Sequence, residues 1–217
     1  MAVFYVIAIA AGAYFLGGLN GAIITARLVY RDDIRAHGSG NAGLTNFHRT
    51  YGKRGMPLVL LIDVIKTALP VIVGGMLLES ALTYGTVTDR IMIGRTLGGL
   101  FAMIGHAYPC LYKFKGGKGV LSGGTMALFV DIRIFLILLL IFAVTILLTR
   151  YVSLGSILVG IGFPVSYFVL DINMWATLLA VCAGVFVVYR HWENIQRLYK
   201  GEERKFSLSR KKEGGGS

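Results

Sequence analysis

The chain has 217 residues, of which 55% are hydrophobic and only 15% charged, and its mean hydropathy is +0.69. A soluble domain of that length has no way to bury so much apolar surface, so the composition excludes one and calls for a bilayer. The net charge of +11 would suit nucleic acid, but basic residues flanking apolar spans are the ordinary signature of membrane topology, and no nucleic-acid partner is expected.

Apolar stretches fall at about 3–26, 56–78, 91–108, 119–130, 134–149, 154–170 and 174–189. A spanning helix needs about 20 residues. The third stretch is marginal and the fourth short, which leaves room for a re-entrant or broken helix there. The first lacks a basic leader and a small-x-small cleavage site, and reads as a retained span. The expected fold is therefore all-α: a polytopic membrane protein of about seven transmembrane helices, N-terminus outside and C-terminus cytoplasmic. That orientation puts every Lys and Arg on the cytoplasmic side except Arg90 and Arg133 in outer turns and Lys66 and Arg95 within spans. Residues 1–205 form one transmembrane domain. Residues 206–217 form a polar tail, expected to be disordered and ending in the linker-like Gly214–Ser217.

The outer turns are short, whereas three cytoplasmic segments are rich in glycine and patterned polar residues. The first runs Gly38-Ser39-Gly40-Asn41-Ala42-Gly43-Leu44-Thr45-Asn46-Phe47-His48-Arg49. It contains G-x-G-x-x-G, but a membrane span and a basic stretch precede it where a dinucleotide fingerprint requires a strand. Closely spaced glycines still let backbone N–H groups face one concavity suited to phosphate, with Ser39, Asn41, Thr45, Asn46 and Arg49 as further donors. The second holds Gly105-His106 and Pro109, then Gly116-Gly117-Lys118-Gly119. A Walker A loop needs an upstream glycine that is missing and a Ser or Thr where Gly119 stands, so nucleotide hydrolysis is rejected. What remains is a glycine loop with a lysine at a helix N-terminus, a place for an anion. The third is Arg190 to Leu198, where His191, Asn194 and Leu198 share a helical face and Glu193 and Arg197 stand at i, i+4. Inside the second span, Asp63 and Lys66 are spaced to pair, and the pair is expected to tie that helix to the Gly38 loop. Cys110 and Cys182 have no partners of a disulfide or metal-site kind, and no cofactor is expected.

Taken together and in this order, the three segments resemble the bacterial acyl-phosphate-dependent glycerol-3-phosphate acyltransferases over about residues 15 to 205. The Asp63 … Lys66 pair and Ser153/Ser156 fit the same pattern. Departures are Ala42 and Leu44 where the family usually has Ile and Ala, and Leu121-Ser122 in place of Ala-Thr; none removes a donor or a charge. The resemblance implies a multi-pass enzyme of the bacterial inner membrane, monomeric, with membrane lipids around it and its site on the cytoplasmic face. Its substrates would be an acyl phosphate and glycerol 3-phosphate. Ser39, Arg49, Lys118, His191 and Asn194 are then the expected catalytic residues. Gly38, Gly40, Asn41, Gly43, Thr45, Asn46, Gly116, Gly117, Gly119 and Ser156 are the expected substrate contacts. His191 orients glycerol 3-phosphate in this reading, and either it or the leaving phosphate takes the proton. A small anion transporter or channel is the alternative, but it calls for a polar path and paired repeats that the sequence lacks.

Overall fold

The computed structural model describes residues 2–206, which contain helices and no strand. The tail expectation for 206–217 lies outside the described residues from 207 onward. Ten α-helices follow in chain order: α1 Ala2–Gly17, α2 Gly21–Thr25, α3 Leu44–Tyr51, α4 Met56–Ala81, α5 Val87–Ala107, α6 Val120–Val130, α7 Ile132–Thr149, α8 Val152–Val169, α9 Met174–Arg190 and α10 Trp192–Tyr199. Each of the seven apolar stretches has become helix. Ala2–Tyr30, α4, α7 and α8 are long and apolar enough to cross a membrane, and α9 with α10, bent by 54° between them, makes a fifth such segment. The third stretch starts earlier than its apolar run suggests. Thr86 and Asp89 form a reciprocal capping box that launches α5 at Val87, ahead of the charged Asp89 and Arg90.

α5 is the packing centre, because glycines let its backbone touch two neighbours, α4 running antiparallel and α1 parallel to it. A Cβ on Gly94 would lie 2.1 Å from the Gly74 carbonyl oxygen of α4, and one on Gly105 2.0 Å from the Tyr14 carbonyl oxygen of α1. Small residues along one face are the usual means of close helix approach where lipid offers no hydrophobic drive. Around α5 lies a core that includes Ile9, Val71, Leu100, Met103, Met126, Phe163 and Tyr167. The opposite faces carry bare apolar side chains, with Leu147, Leu148 and Phe168 each 80% exposed. In water such surface is a liability; against acyl chains it is the natural exterior.

α6 has 11 residues, so it rises only about 16 Å. Arg95 of α5 donates from Nη1 to the Val130 carbonyl at its end, 3.3 Å away. A cation at a helix C-terminus satisfies an orphan acceptor and meets the negative end of the dipole. The first span is broken differently. At Asn20 the side chain caps α2 by accepting from Ile23 N at 3.0 Å, and its amide donates to the Ala42 carbonyl at 3.0 Å. That contact fastens the Gly38–Gly43 loop to the bundle. The antiparallel order carries this loop, the end of α5, the starts of α6 and α8 and the end of α9 to one pole.

Candidate active site

The first glycine segment is a loop held from within. Gly38 and Gly40 sit at φ +58° and +69°, in the left-handed region that glycine adopts freely. Asn46, 2% exposed, accepts from Ser39 N at 3.0 Å and donates to the carbonyls of His37 and Asn41, also at 3.0 Å. Its amide is thus spent on the loop backbone, so Asn46 shapes the concavity from behind. The loop ends at Gly43, the N-cap of α3, which supplies no side-chain cap. The first N–H groups of α3, at Leu44 and Thr45, stay open to an anion in the concavity. Ser39 is exposed, and Arg49 is exposed one turn further along the helix.

The second loop is stitched to the end of α5. Gly116 N donates to the Ala107 carbonyl and Gly117 N to the His106 carbonyl, both at 3.1 Å. There is no space for a side chain: a Cβ on Gly117 would lie 2.1 Å from His106 Nε2 and 2.7 Å from the Ala42 carbonyl oxygen. The two glycine loops are therefore in contact through Gly117 and Ala42. Gly119, at φ +81°, starts α6 without a side-chain cap, leaving a second open helix N-terminus directly after Lys118.

Lys118 is half-buried and its ammonium donates to Asn194 Oδ1. Burial, then the neighbouring Arg197, pushes its pKa down from 10.5 to about 8, with Glu193 and Glu203 opposing. Lost solvation around its guanidinium likewise lowers the pKa of Arg49, with Arg204 next in effect. Arg190 joins the same pole, donating to Tyr108 Oη at 3.1 Å and to the Gly117 carbonyl at 3.0 Å, its guanidinium 4.7 Å from the Tyr108 ring centre.

In the third segment the helix breaks at His191, which caps α10 and so does not share a helical face with Asn194 and Leu198. His191 and Asn194 are both buried nonetheless, and Glu193 and Arg197 approach to 3.8 Å. Since a carbonyl can only accept, the 2.8 Å contact of His191 Nδ1 with the Val187 oxygen places the ring proton on Nδ1. Nε2 is left with a free lone pair. One residue that the sequence reading passed over organises this corner: Glu203. Its Oε1 accepts from Ser153 Oγ and from Asn194 Nδ2, each at 2.8 Å, and its Oε2 from Arg197 Nε at 2.9 Å. Burial pushes the Glu203 carboxyl up, but the bonds from Arg197, Ser153 and Asn194 outweigh it and leave it below its usual value. Gly201, at φ +72°, turns the chain back over the site and brings it there.

Ser156 stands apart from this corner. It is buried, bonds to its own helix at Val152 O, 2.9 Å away, and lines a narrow apolar cavity of only about 20 Å³ with Met103, Gly123, Met126, Leu138 and Phe163. The Asp63–Lys66 pair forms at 2.7 Å. Asp63 reaches Gly21 N at 3.0 Å, so it ties α4 to the start of α2 and not to the Gly38 loop. An apolar cavity thus ends beside a pole rich in cations and open N–H groups, a place for an anionic head with an apolar tail.

The chain matches the family model for glycerol-3-phosphate acyltransferase over residues 7–201. It is 37% identical over 203 residues to the glycerol-3-phosphate acyltransferase of Finegoldia magna, covering 93% of this chain and 96% of that one. The protein of the same name from Clostridioides difficile is 37% identical over 213 residues, covering 98% and 100%. The crystal structure of PlsY (YgiH), an integral membrane glycerol 3-phosphate acyltransferase, in its glycerol 3-phosphate form superposes with a TM-score of 0.81 at 34% identity, covering 95% of this chain and 96% of that one. Motifs, fold and relatives agree, and the chain belongs to the glycerol-3-phosphate acyltransferase family of integral membrane proteins.

Proposed function

We propose that this chain transfers an acyl group from an acyl phosphate to the 1-hydroxyl of glycerol 3-phosphate, yielding lysophosphatidate and inorganic phosphate. It does so as a monomer crossing the bacterial inner membrane seven times, with its site on the cytoplasmic face. The observation that carries this reading is the meeting of the three polar segments at the mouth of an apolar cavity. Gly117 touches Ala42, Lys118 donates to Asn194, and Ser156 borders the cavity. The first carbons of the acyl tail meet that narrow cavity and the rest of the tail runs into the surrounding lipid, while the acyl-phosphate head lies on the open N–H groups of α3 and the Gly38–Gly43 loop, beside Ser39 and Thr45. Arg49, Lys118 and Asn194 hold glycerol 3-phosphate, with Gly116–Gly119 as the wall between.

A mixed anhydride is already activated, so the protein need supply no covalent nucleophile. Its task is to place two anions together and to stabilise the charge that develops on the carbonyl oxygen. The glycerol oxygen bonds to the acyl carbon, the bond to phosphate breaks with its electron pair on phosphate, and the hydroxyl proton passes to His191 Nε2 or to the departing phosphate. The test uses purified protein in lipid with palmitoyl phosphate and glycerol 3-phosphate. Release of inorganic phosphate that requires both substrates and is matched by lysophosphatidate is the expected result. Turnover with acyl-CoA or acyl carrier protein alone would replace the donor.

A further inference from the structure

Asp63 and Lys66 are charged, lie in the middle of α4, and are only 1% and 2% exposed at their side chains. Each charge at such depth carries an insertion cost of about 2.5–3.5 kcal/mol. Nothing in the chemistry above uses them. Their bonds lead to the glycine loops. Lys66 Nζ lies 2.7 Å from both Asp63 Oδ1 and His106 Nδ1. An ammonium has donors only, so Nδ1 of His106 accepts, and the neutral ring carries its proton on Nε2. That Nε2 edge is the surface against which Gly117 is seated, on the side where Gly117 meets Ala42. At the other end Asp63 holds Gly21 N, adjacent to Asn20, whose amide holds Ala42. The ion pair therefore reaches the Gly117–Ala42 junction from both sides, through His106 and through Gly21–Asn20.

We infer that Asp63, Lys66 and His106 are positioning residues for the reaction: a buried relay that sets the seat of the glycine loop and thereby the place of Lys118. The inference rests on the acyltransferase reading. A device of stability alone would behave differently, because a buried ion pair replaced by neutral residues of similar shape often leaves stability unchanged or raised. The deciding variant is the neutral pair Asp63→Asn with Lys66→Met, in which the introduced amide oxygen can still accept from Gly21 N. His106→Asn is the companion. It keeps an acceptor for Lys66 and removes the ring edge behind Gly117, with both charges still paired.

Steady-state kinetics in lipid with acyl phosphate and glycerol 3-phosphate are read beside thermal unfolding and amide exchange at residues 115–119. The expected result is a KM for a phosphate-bearing substrate raised about tenfold or more, with kcat within about threefold and faster exchange at Gly117. Combining the neutral pair with His106→Asn adds little further, since both break one connection. A folded neutral pair with parental KM and exchange overturns the inference; if the neutral pair does not fold, a parental KM for His106→Asn does so. An inactive parent enzyme would instead strike at the acyltransferase reading.

Discussion

The side-chain amide of Asn194 donates to Glu203 Oε1 at 2.8 Å, which fixes its carbonyl oxygen toward Lys118. The ammonium, having donors only, already favours the oxygen. The carboxylate, accepting from the NH2, reinforces that orientation from the other side of the amide.

Glu203→Gln tests this. The glutamine retains one acceptor oxygen but loses the charge facing Arg197, and its own NH2 competes for Asn194. Hydrogen bonds to charged groups are worth about 1.5–3 kcal/mol, reduced here because Arg197 is 37% exposed. Unfolding is expected at a lower temperature, and kcat/KM for glycerol 3-phosphate should fall about tenfold or more. A variant equal to the parent in both would remove Glu203 from the site.

The pH profile should carry the mark of Lys118. With its pKa pushed down to about 8 by burial and then Arg197, the ammonium is present below pH 8 and is lost as pH rises through it. A phosphate site needs the cation, so kcat/KM should decline above about pH 8, approaching tenfold per pH unit. In Lys118→Arg the guanidinium stays charged and this alkaline limb should vanish, whatever its effect on the rate at neutral pH. Lys118→Met should abolish activity or raise KM strongly across the whole range.

His191→Gln separates two roles. Loss of an essential general base costs roughly 10²–10⁴-fold. Because the leaving phosphate is itself a base, the expected loss in kcat is smaller than that, with KM for glycerol 3-phosphate raised. A fall in kcat beyond about 10³-fold at unchanged KM would make Nε2 the obligatory proton acceptor.

Gly117→Ala should reduce turnover at least about a hundredfold, since its Cβ meets His106 Nε2 and the Ala42 oxygen at 2.1 and 2.7 Å. Gly124→Ala in α6 is the contrast: a Cβ there meets nothing within 4 Å. It should leave activity intact and add about 0.5–1 kcal/mol of helix stability.

How far these features were visible beforehand depends on how local they are. The Asp63–Lys66 pair follows from helical spacing alone, and it formed; His191 and Asn194 are both buried, but His191 caps the break between α9 and α10 and does not share a helical face with Asn194. The three glycine segments were legible because glycine and small polar residues have few structural uses at such density. The start of α5 was readable too, in the capping box of Thr86 and Asp89, but hydropathy outvoted it. Glu203 stayed hidden because its partners, Ser153 on α8 and Asn194 on α10, meet only after a turn that composition does not reveal. The same holds for His106: no spacing rule pairs it with Lys66 on another helix, or predicts that Arg95 reaches the last carbonyl of α6. Local periodicity names candidates, and tertiary packing assigns their partners.

The backward turn at Gly201 also sets an order of assembly. Glu203 follows all ten described helices in the chain, and beyond it Phe206 N donates to the Arg150 carbonyl at 2.7 Å. A nascent chain with the described apolar helices inserted and the glycine loops made would still lack the carboxylate that holds the Asn194 amide. The Lys118–Asn194 corner is therefore completed by a segment that follows the apolar helices. A truncation before Glu203 would leave all ten helices in place and remove the acceptor that Ser153, Asn194 and Arg197 share.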